Sequence, residues 1–412
     1  MSSVNKTKYK LVLYQSGLGT AHDYYNDTFE KIIKNDSSSL MYSEKNKTYK
    51  NTFIDMTEYD CEKGYFYGLN SNGYKGRSTE LTNKFNNLIQ DIVNTMINNP
   101  TKIVHVKTQL NDSFDFADGF DTIENQKIKL MKIINSFKSY NLNLEIYLVG
   151  HSQGGLVNLE TAIEMPTDIK KMISISTPYS PVSVAKNLLY IDRLIKKAKL
   201  GGLLVGDSEE ETARYENCAN TLTSKDYFKN LKKKWDNLAK RPKLLVITGT
   251  SGFVTKTVSE FVTIGVPPFT TSMMMTFDKK HPFDGLVLTC EQKDISYDNI
   301  VNITSKSLPC YSEETFVKKI CGANIYDRCQ GCNLPSFNGF SSIFELACDA
   351  IVGNDPMNHD IVDAIFEGAY GVKSTPRNPE YMNYFNIYRS QYSHMFIASC
   401  DETVATIMGY LK

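Results

Sequence analysis

Apolar residues recur along this chain in two alternating rhythms. Short runs in which nearly every position is apolar or β-branched, at 11–14, 103–106, 144–149, 169–176 and 243–248, have the length and composition of strands. The run at 144–149 reads as a strand buried on both faces. Between the runs lie segments with apolar residues every three or four positions, the one-sided stripe of a helix. Over 79–98 the stripe is Leu81, Phe85, Leu88, Ile89, Ile92, Val93 and Met96, and over 122–140 it is Ile123, Leu130, Ile134 and Phe137. Further helices are expected at about 24–33, at 154–164 where Pro166 stops the pattern, and at 402–411 through Val404, Ile407, Met408 and Leu411. This alternation predicts an α/β fold, a mainly parallel central sheet flanked by helices.

The rhythm breaks twice. Residues 178–240 hold three helical patterns in succession without a strand, including Val184, Leu188, Ile191 and Ile195, and read as an inserted helical cap. Residues 289–390 match no recognisable pattern and read as a Cys-containing insertion. The expected organisation is a core over 1–177, a cap or lid over 178–240, a core strand and its loop over 241–288, the insertion over 289–390, and a return to the core over 391–412. The charge runs Glu209–Glu211 and Lys232–Lys234 read as solvated helix faces.

Composition changes this picture mainly by exclusion. The 412 residues are 41% hydrophobic and 22% charged, an ordinary globular balance rather than that of a disordered chain. Lys+Arg 46 equals Asp+Glu 46, so no overall positive field gathers nucleic acid, and nucleic acid is not an expected partner. The first ten residues lack the apolar core of a signal peptide, so a cytoplasmic location is expected, with export by a signal-independent route left open. The apolar stretch 258–275 contains Glu260 and the pair Pro267 and Pro268, so it is not read as a membrane span. The 9 cysteines are odd in number, which leaves at least one free thiol. Cys329 and Cys332 have the spacing of half a zinc site or a redox pair. No second such pair accompanies them, so reduced structural thiols are the first expectation, with a local disulfide or a metal as alternatives.

One segment carries recognisable chemistry. The sequence Leu148-Val-Gly-His-Ser-Gln-Gly-Gly155 sets G-x-S-x-G between an expected buried strand and an expected helix. In that context the serine sits on a sharp, strained turn, the flanking Gly150 and Gly154 avoid collisions, and the helix directs its unpaired N–H groups toward developing negative charge. Gly150-His-Ser-Gln-Gly-Gly155 resembles the nucleophile elbow of lipase- and esterase-type serine hydrolases of the α/β-hydrolase superfamily. The resemblance covers roughly 8–35, 144–178, 243–250, 281–288 and 392–411.

The resemblance implies an α/β-hydrolase fold, Ser152 as nucleophile, and an acid and a histidine downstream in that order. Phe283-Asp-Gly-Leu-Val287 is similar to the stretch bearing the acid in many lipases and nominates Asp284, with Asp278, Asp294 and Asp298 as rivals. Of the 6 histidines, only His359 and His394 follow Asp284. His394 is favoured because Tyr392-Ser-His-Met-Phe396 shortly precedes the terminal helix, whereas His359 lies inside the insertion. His105 reads as a satisfied sheet histidine, and His151 as pointing away from the nucleophile. Oxyanion donors are implied at the main-chain N–H of Gln153 and of Leu18, although Ser16 stands where relatives usually carry histidine. No metal or organic cofactor is implied.

These residues imply hydrolysis of a carboxylic ester through an acyl-enzyme. The cap and the apolar stretch around 261–275 favour a fatty-acyl or other lipid ester, since chain burial contributes ~0.8 kcal/mol per CH₂. The same stretch is equally explained as core. Transient contact with a membrane or lipid surface is expected with such a substrate. An acyltransferase using the same acyl-enzyme and a non-catalytic binding protein of the same fold are the alternatives.

Overall fold

The computed structural model describes residues 7–17, 22–42, 49–69, 73–111, 121–182, 217–218, 220–255, 280–284, 287–305, 310–312, 390–394 and 396–412. The chain opens with β1 (Tyr9–Gln15) and, after a 3-10 turn at His22–Tyr25, α1 (Asn26–Asn35). Short strands β2 (Ser39–Met41) and β3 (Phe53–Asp55) follow, then a small antiparallel unit of β4 (Tyr59–Asp60), β5 (Tyr65–Leu69) and β6 (Lys75–Arg77). Next come α2 (Thr79–Asn98), β7 (Ile103–Gln109), α3 (Ile123–Lys138), β8 (Leu144–His151), α4 (Gln153–Glu164) and β9 (Ile169–Ile175). Beyond them lie α5 (Lys225–Asp236), β10 (Lys243–Thr250), β11 (Gly252–Thr255), β12 (Lys280–Phe283), β13 (Asn299–Thr304), β14 (Cys310–Ser312) and the terminal α6 (Asp401–Leu411).

Helix starts are chemically marked. Ser78, Thr122 and Ser224 each accept a main-chain N–H of the first turn, from Leu81, Asn125 and Tyr227, satisfying donors that the helix itself leaves open.

Among the described residues eight strands form one sheet in the order β13-β10-β9-β8-β1-β7-β2, with β3 also pairing β7, and every pair is parallel. Helices cover both faces, which is why the central strands are almost continuously apolar. On one face Leu11, Leu13, Val104 and Leu148 pack with Phe85 and Ile89 of α2, Leu130 and Ile134 of α3, Leu156 of α4, and Phe228 and Trp235 of α5. On the other, Val12, Tyr14, Val149, Ile173 and Ile247 pack with Phe29 and Ile32 of α1 and Val404 and Ile407 of α6. Because the strands are parallel, their C-terminal ends share one edge, where the main chain turns out of the sheet and side chains converge.

Two expectations are revised. The stripe at 225–236 does not rise as a cap: Trp235 is fully buried, its Nε1 donates to the Ser296 carbonyl at 2.8 Å, and the helix packs on the sheet beside α4. The region from 289 is not wholly an insertion either, because β13 is an edge strand of the main sheet. Its sequence mixes polar and apolar residues, and most of its positions keep some exposure, as suits an edge strand. The remainder of the expected cap at 183–216, the apolar stretch 261–275 and residues 313–389 lie outside the described residues. No helix among the described residues is long and apolar enough to cross a membrane.

Candidate active site

Strand β8 runs into α4 through a single residue. Ser152 takes φ 52° and ψ −125°, a conformation that costs a non-glycine residue about 1–3 kcal/mol and persists only where the surroundings hold it. They do so by close approach. A β-carbon on Gly154 would lie 2.5 Å from the carbonyl oxygens of Gln15 and Ser16, and one on Gly150 would lie 2.6 Å from the main chain of Gly154. The Ser152 N–H donates to the Ile175 carbonyl of β9 at 2.9 Å, tying the turn to the neighbouring strand.

At this turn the structure brings Ser152, His394 and Asp284 together. His394 Nε2 is 2.9 Å from Ser152 Oγ, and its Nδ1 is 2.8 Å from Asp284 Oδ2. A carboxylate accepts, so Nδ1 carries the imidazole proton and Nε2 offers its lone pair to the serine hydroxyl. Both His394 and Asp284 are buried. Their loops are locked at the main chain too, the His394 N–H donating to the Asp284 carbonyl at 2.8 Å.

Asp284 accepts two further bonds, from the Val287 N–H to Oδ1 at 2.7 Å and from Gln292 Nε2 to Oδ2 at 3.0 Å. Gln292 is itself oriented: its Oε1 accepts the Gly249 N–H at the end of β10 at 3.0 Å, and its Nε2 also reaches the Val287 carbonyl. The histidine loop leads into the 3-10 turn Ile397–Ser399, which α1 grips through Thr28 Oγ1 on the Ala398 carbonyl at 3.0 Å and Lys31 Nζ on the Ser399 carbonyl at 2.7 Å.

Gln153, the first residue of α4, has a main-chain N–H for which helix geometry supplies no acceptor, and it lies next to Ser152. Its side-chain Oε1 accepts from Gln126 Nε2 at 3.2 Å, and Gln126 also donates to the carbonyl of Asp121. Asp121 in turn forms a buried ion pair with Lys129 at 2.8 Å. Leu18 lies outside the described residues, as do Asp278 and His359. The other rival acids are engaged elsewhere, Asp294 with Lys232 at 2.5 Å and Asp298 with the Leu244 N–H at 2.8 Å.

His105 sits inside the sheet between Tyr14 Oη (2.8 Å from Nδ1) and Ser39 Oγ (3.0 Å from Nε2), and burial pushes its pKa down to about 3. His151 turns away from Ser152 and bonds the main chain of His394 instead. Gln292 and Gln126 carry no mark in the sequence, since a glutamine amide has no spacing rule.

Among the described residues no group of three or more His, Cys, Asp or Glu is placed to hold a metal ion. Among the described residues Cys218, Cys290 and Cys400 are free thiols, and burial pushes Cys218 up to about 12, far from a reactive thiolate. Cys329 and Cys332 lie outside the described residues.

The parallel sheet covered on both faces, the strained serine between strand and helix, and the carboxylate and imidazole arriving from later loops in that order decide the architecture. The chain has the α/β-hydrolase fold. No family model and no curated protein matches it. Among solved structures it is similar to a gene product of Listeria innocua (13% identity, 80% of this chain and 96% of that one, TM-score 0.35). It is also similar to a Bacillus licheniformis lipase in mature form (11%, 59% and 66%, 0.30) and to a peroxisomal α/β-hydrolase of Saccharomyces cerevisiae (10%, 84% and 85%, 0.31).

Proposed function

We propose that this α/β-hydrolase-fold chain is a serine hydrolase that cleaves carboxylic esters, with Ser152 as nucleophile, His394 as general base and acid, and Asp284 as the group that orients the imidazole. The observation that carries this reading is the continuous line of hydrogen bonds from Asp284 through His394 to Ser152, at 2.8 and 2.9 Å. A serine hydroxyl is a weak nucleophile at neutral pH, so attack on an ester carbonyl requires His394 Nε2 to take its proton as the new C–O bond forms. The imidazolium then returns that proton to the departing alcohol as the ester C–O bond breaks. Water, deprotonated by the same nitrogen, hydrolyses the acyl-serine. The oxyanion of each tetrahedral intermediate is assigned to the N–H groups of Gln153 and Leu18, donors of a kind worth about 10²–10³ in rate. The acyl group is assigned to the lipid class on the apolar sequence around 261–275.

The test is labelling with a fluorophosphonate followed by turnover of p-nitrophenyl esters of increasing chain length. Wild-type protein is expected to label and Ser152→Ala to lose both labelling and hydrolysis. Unlabelled wild-type protein refutes the reading, and a preference for acetyl esters refutes its lipid part.

A further inference from the structure

His151 stands outside the proton relay, yet it joins the two halves of the site. Its imidazole is buried, with Nε2 2.7 Å from the carbonyl oxygen of His394. A carbonyl only accepts, so Nε2 carries the proton. The ring of Tyr24 stacks on the same imidazole with centroids 4.5 Å apart, and the Tyr24 hydroxyl donates to the same carbonyl at 3.4 Å. His394 is thereby held at each of its polar groups. The Asp284 carbonyl takes its N–H, the Asp284 carboxylate takes Nδ1, and His151 and Tyr24 donate to its carbonyl, which leaves Nε2 for Ser152.

Ser152 and His394 are 242 residues apart in sequence, so the chain itself does nothing to fix their separation. The path through His151 is short: one peptide bond from Ser152, one rigid ring, and one hydrogen bond to the main chain of the base. Taking Ser152 and His394 as nucleophile and base, as proposed above, we infer that His151 is a positioning residue that sets their separation by binding the main chain of His394.

The chemistry of the position explains why a histidine serves. The bridge must donate, and it must stay uncharged, because its ring centroid is 4.7 Å from that of His394, which becomes a cation in every half-reaction. Burial, reinforced by the charge of a protonated His394, holds His151 well below the usual histidine range. The other titratable groups at this place are Tyr24, which burial keeps as a neutral phenol, and Asp284 on the far side of His394. A lysine or arginine would supply a donor together with a permanent opposing charge. The turn after β1 closes the remaining side: a β-carbon on Gly17 would lie 2.9 Å from Ser152 Cβ and 3.1 Å from His151 Nδ1, leaving little room for the ring to swing.

Two variants separate positioning from folding. His151→Phe keeps a ring to stack on Tyr24 and removes the donor, whereas His151→Gln keeps a neutral donor at similar reach. On a short-chain p-nitrophenyl ester, with kcat expressed per fluorophosphonate-titrated serine, H151F is expected to lose about 10- to 100-fold in kcat with KM within about twofold, and H151Q to recover most of the loss. Wild-type kcat in H151F, or equal impairment in both variants, overturns the inference. Histidine-selective ¹⁵N spectra of the wild-type chain test the bridge without turnover. They are expected to show His151 protonated at Nε2 and unchanged between about pH 5 and pH 8. A proton on Nδ1, or titration within that range, overturns the inference. Wild-type protein that neither labels nor hydrolyses esters counts against the hydrolase reading, while the spectra still decide the bridge.

Discussion

At the scale of single residues, Gln292 holds the acid without neutralising it. An uncharged amide donates to Asp284 while its oxygen answers the Gly249 N–H, so one side chain ties the end of β10 to the acid loop. Gln292→Glu keeps the shape and reverses one end: a carboxylate would face Asp284 Oδ2 and the Val287 carbonyl, both acceptors. We expect kcat/KM of this variant to fall by about 10²-fold at pH 8, since two apposed carboxylates resist joint ionisation and the acid loop moves to relieve them. Lowering the pH protonates the introduced carboxyl and restores a donor, so the ratio of variant to wild-type kcat/KM is expected to rise from pH 8 to pH 6. A constant ratio across that range excludes this account.

At the scale of elements, the buried Asp121–Lys129 pair fastens the start of α3 to the end of the strand before it. Lys129 Nζ also donates to the Leu110 carbonyl at 2.9 Å, and Gln126 passes the contact on to Gln153 at the head of α4. Removing one partner strands the other charge in the interior, so Asp121→Ala is expected to cost about 3–5 kcal/mol in urea unfolding. The pair Lys31–Asp401, with side chains 38% and 86% exposed, is the contrasting case: Asp401→Ala is expected to destabilise far less than Asp121→Ala, because solvent screens an exposed pair. Equal losses would show that burial is not what gives the first pair its weight. This scale also shows what could be read from sequence. Strands buried on both faces announce themselves as unbroken apolar runs, so β1, β7, β8, β9 and β10 were legible. The edge strands β2, β3 and β13 are short or half polar and were not. The stripe Phe228, Leu231, Trp235 of α5 says that a face is buried but not against what, so the sequence alone does not separate this helix from the cap. In the site, the elbow is a local pattern because strain and close contact confine it to glycine-flanked residues. Asp284 and His394 have no such local mark and were nominated by chain order and resemblance. The contacts of Gln292 and of His151 join distant loops, and no periodicity encodes them.

At the scale of the whole molecule, acid is expected to open the sheet from within. His105 lies between the hydroxyls of Tyr14 and Ser39, which satisfy a neutral ring with one nitrogen accepting and the other donating, and burial opposes a charge there. Its pKa is about 3 in the fold and near 6.5 in an unfolded chain, so between these values the unfolded state binds a proton that the folded state refuses. The stabilisation is complete above about pH 6.5 and drains as the pH falls toward 3, at roughly 1.4 kcal/mol per pH unit. His105→Gln keeps a donor and an acceptor and does not titrate. Between pH 6 and pH 4 its unfolding free energy is expected to fall less steeply than that of the wild type, by about one proton's worth, in paired urea titrations. Parallel slopes would assign the acid sensitivity elsewhere.

The grip of α1 on the turn at Ile397–Ser399 bears on how the molecule is born. A ribosome delivers α1 well before that turn, and it releases Ser152 242 residues ahead of the histidine that bonds it. Throughout that interval the Ser152 hydroxyl lacks its His394 partner and α1 lacks the turn it grips. The proposed proton relay therefore forms only when the segment bearing His394 docks, and a growing polypeptide that still lacks this segment is expected to cleave no ester.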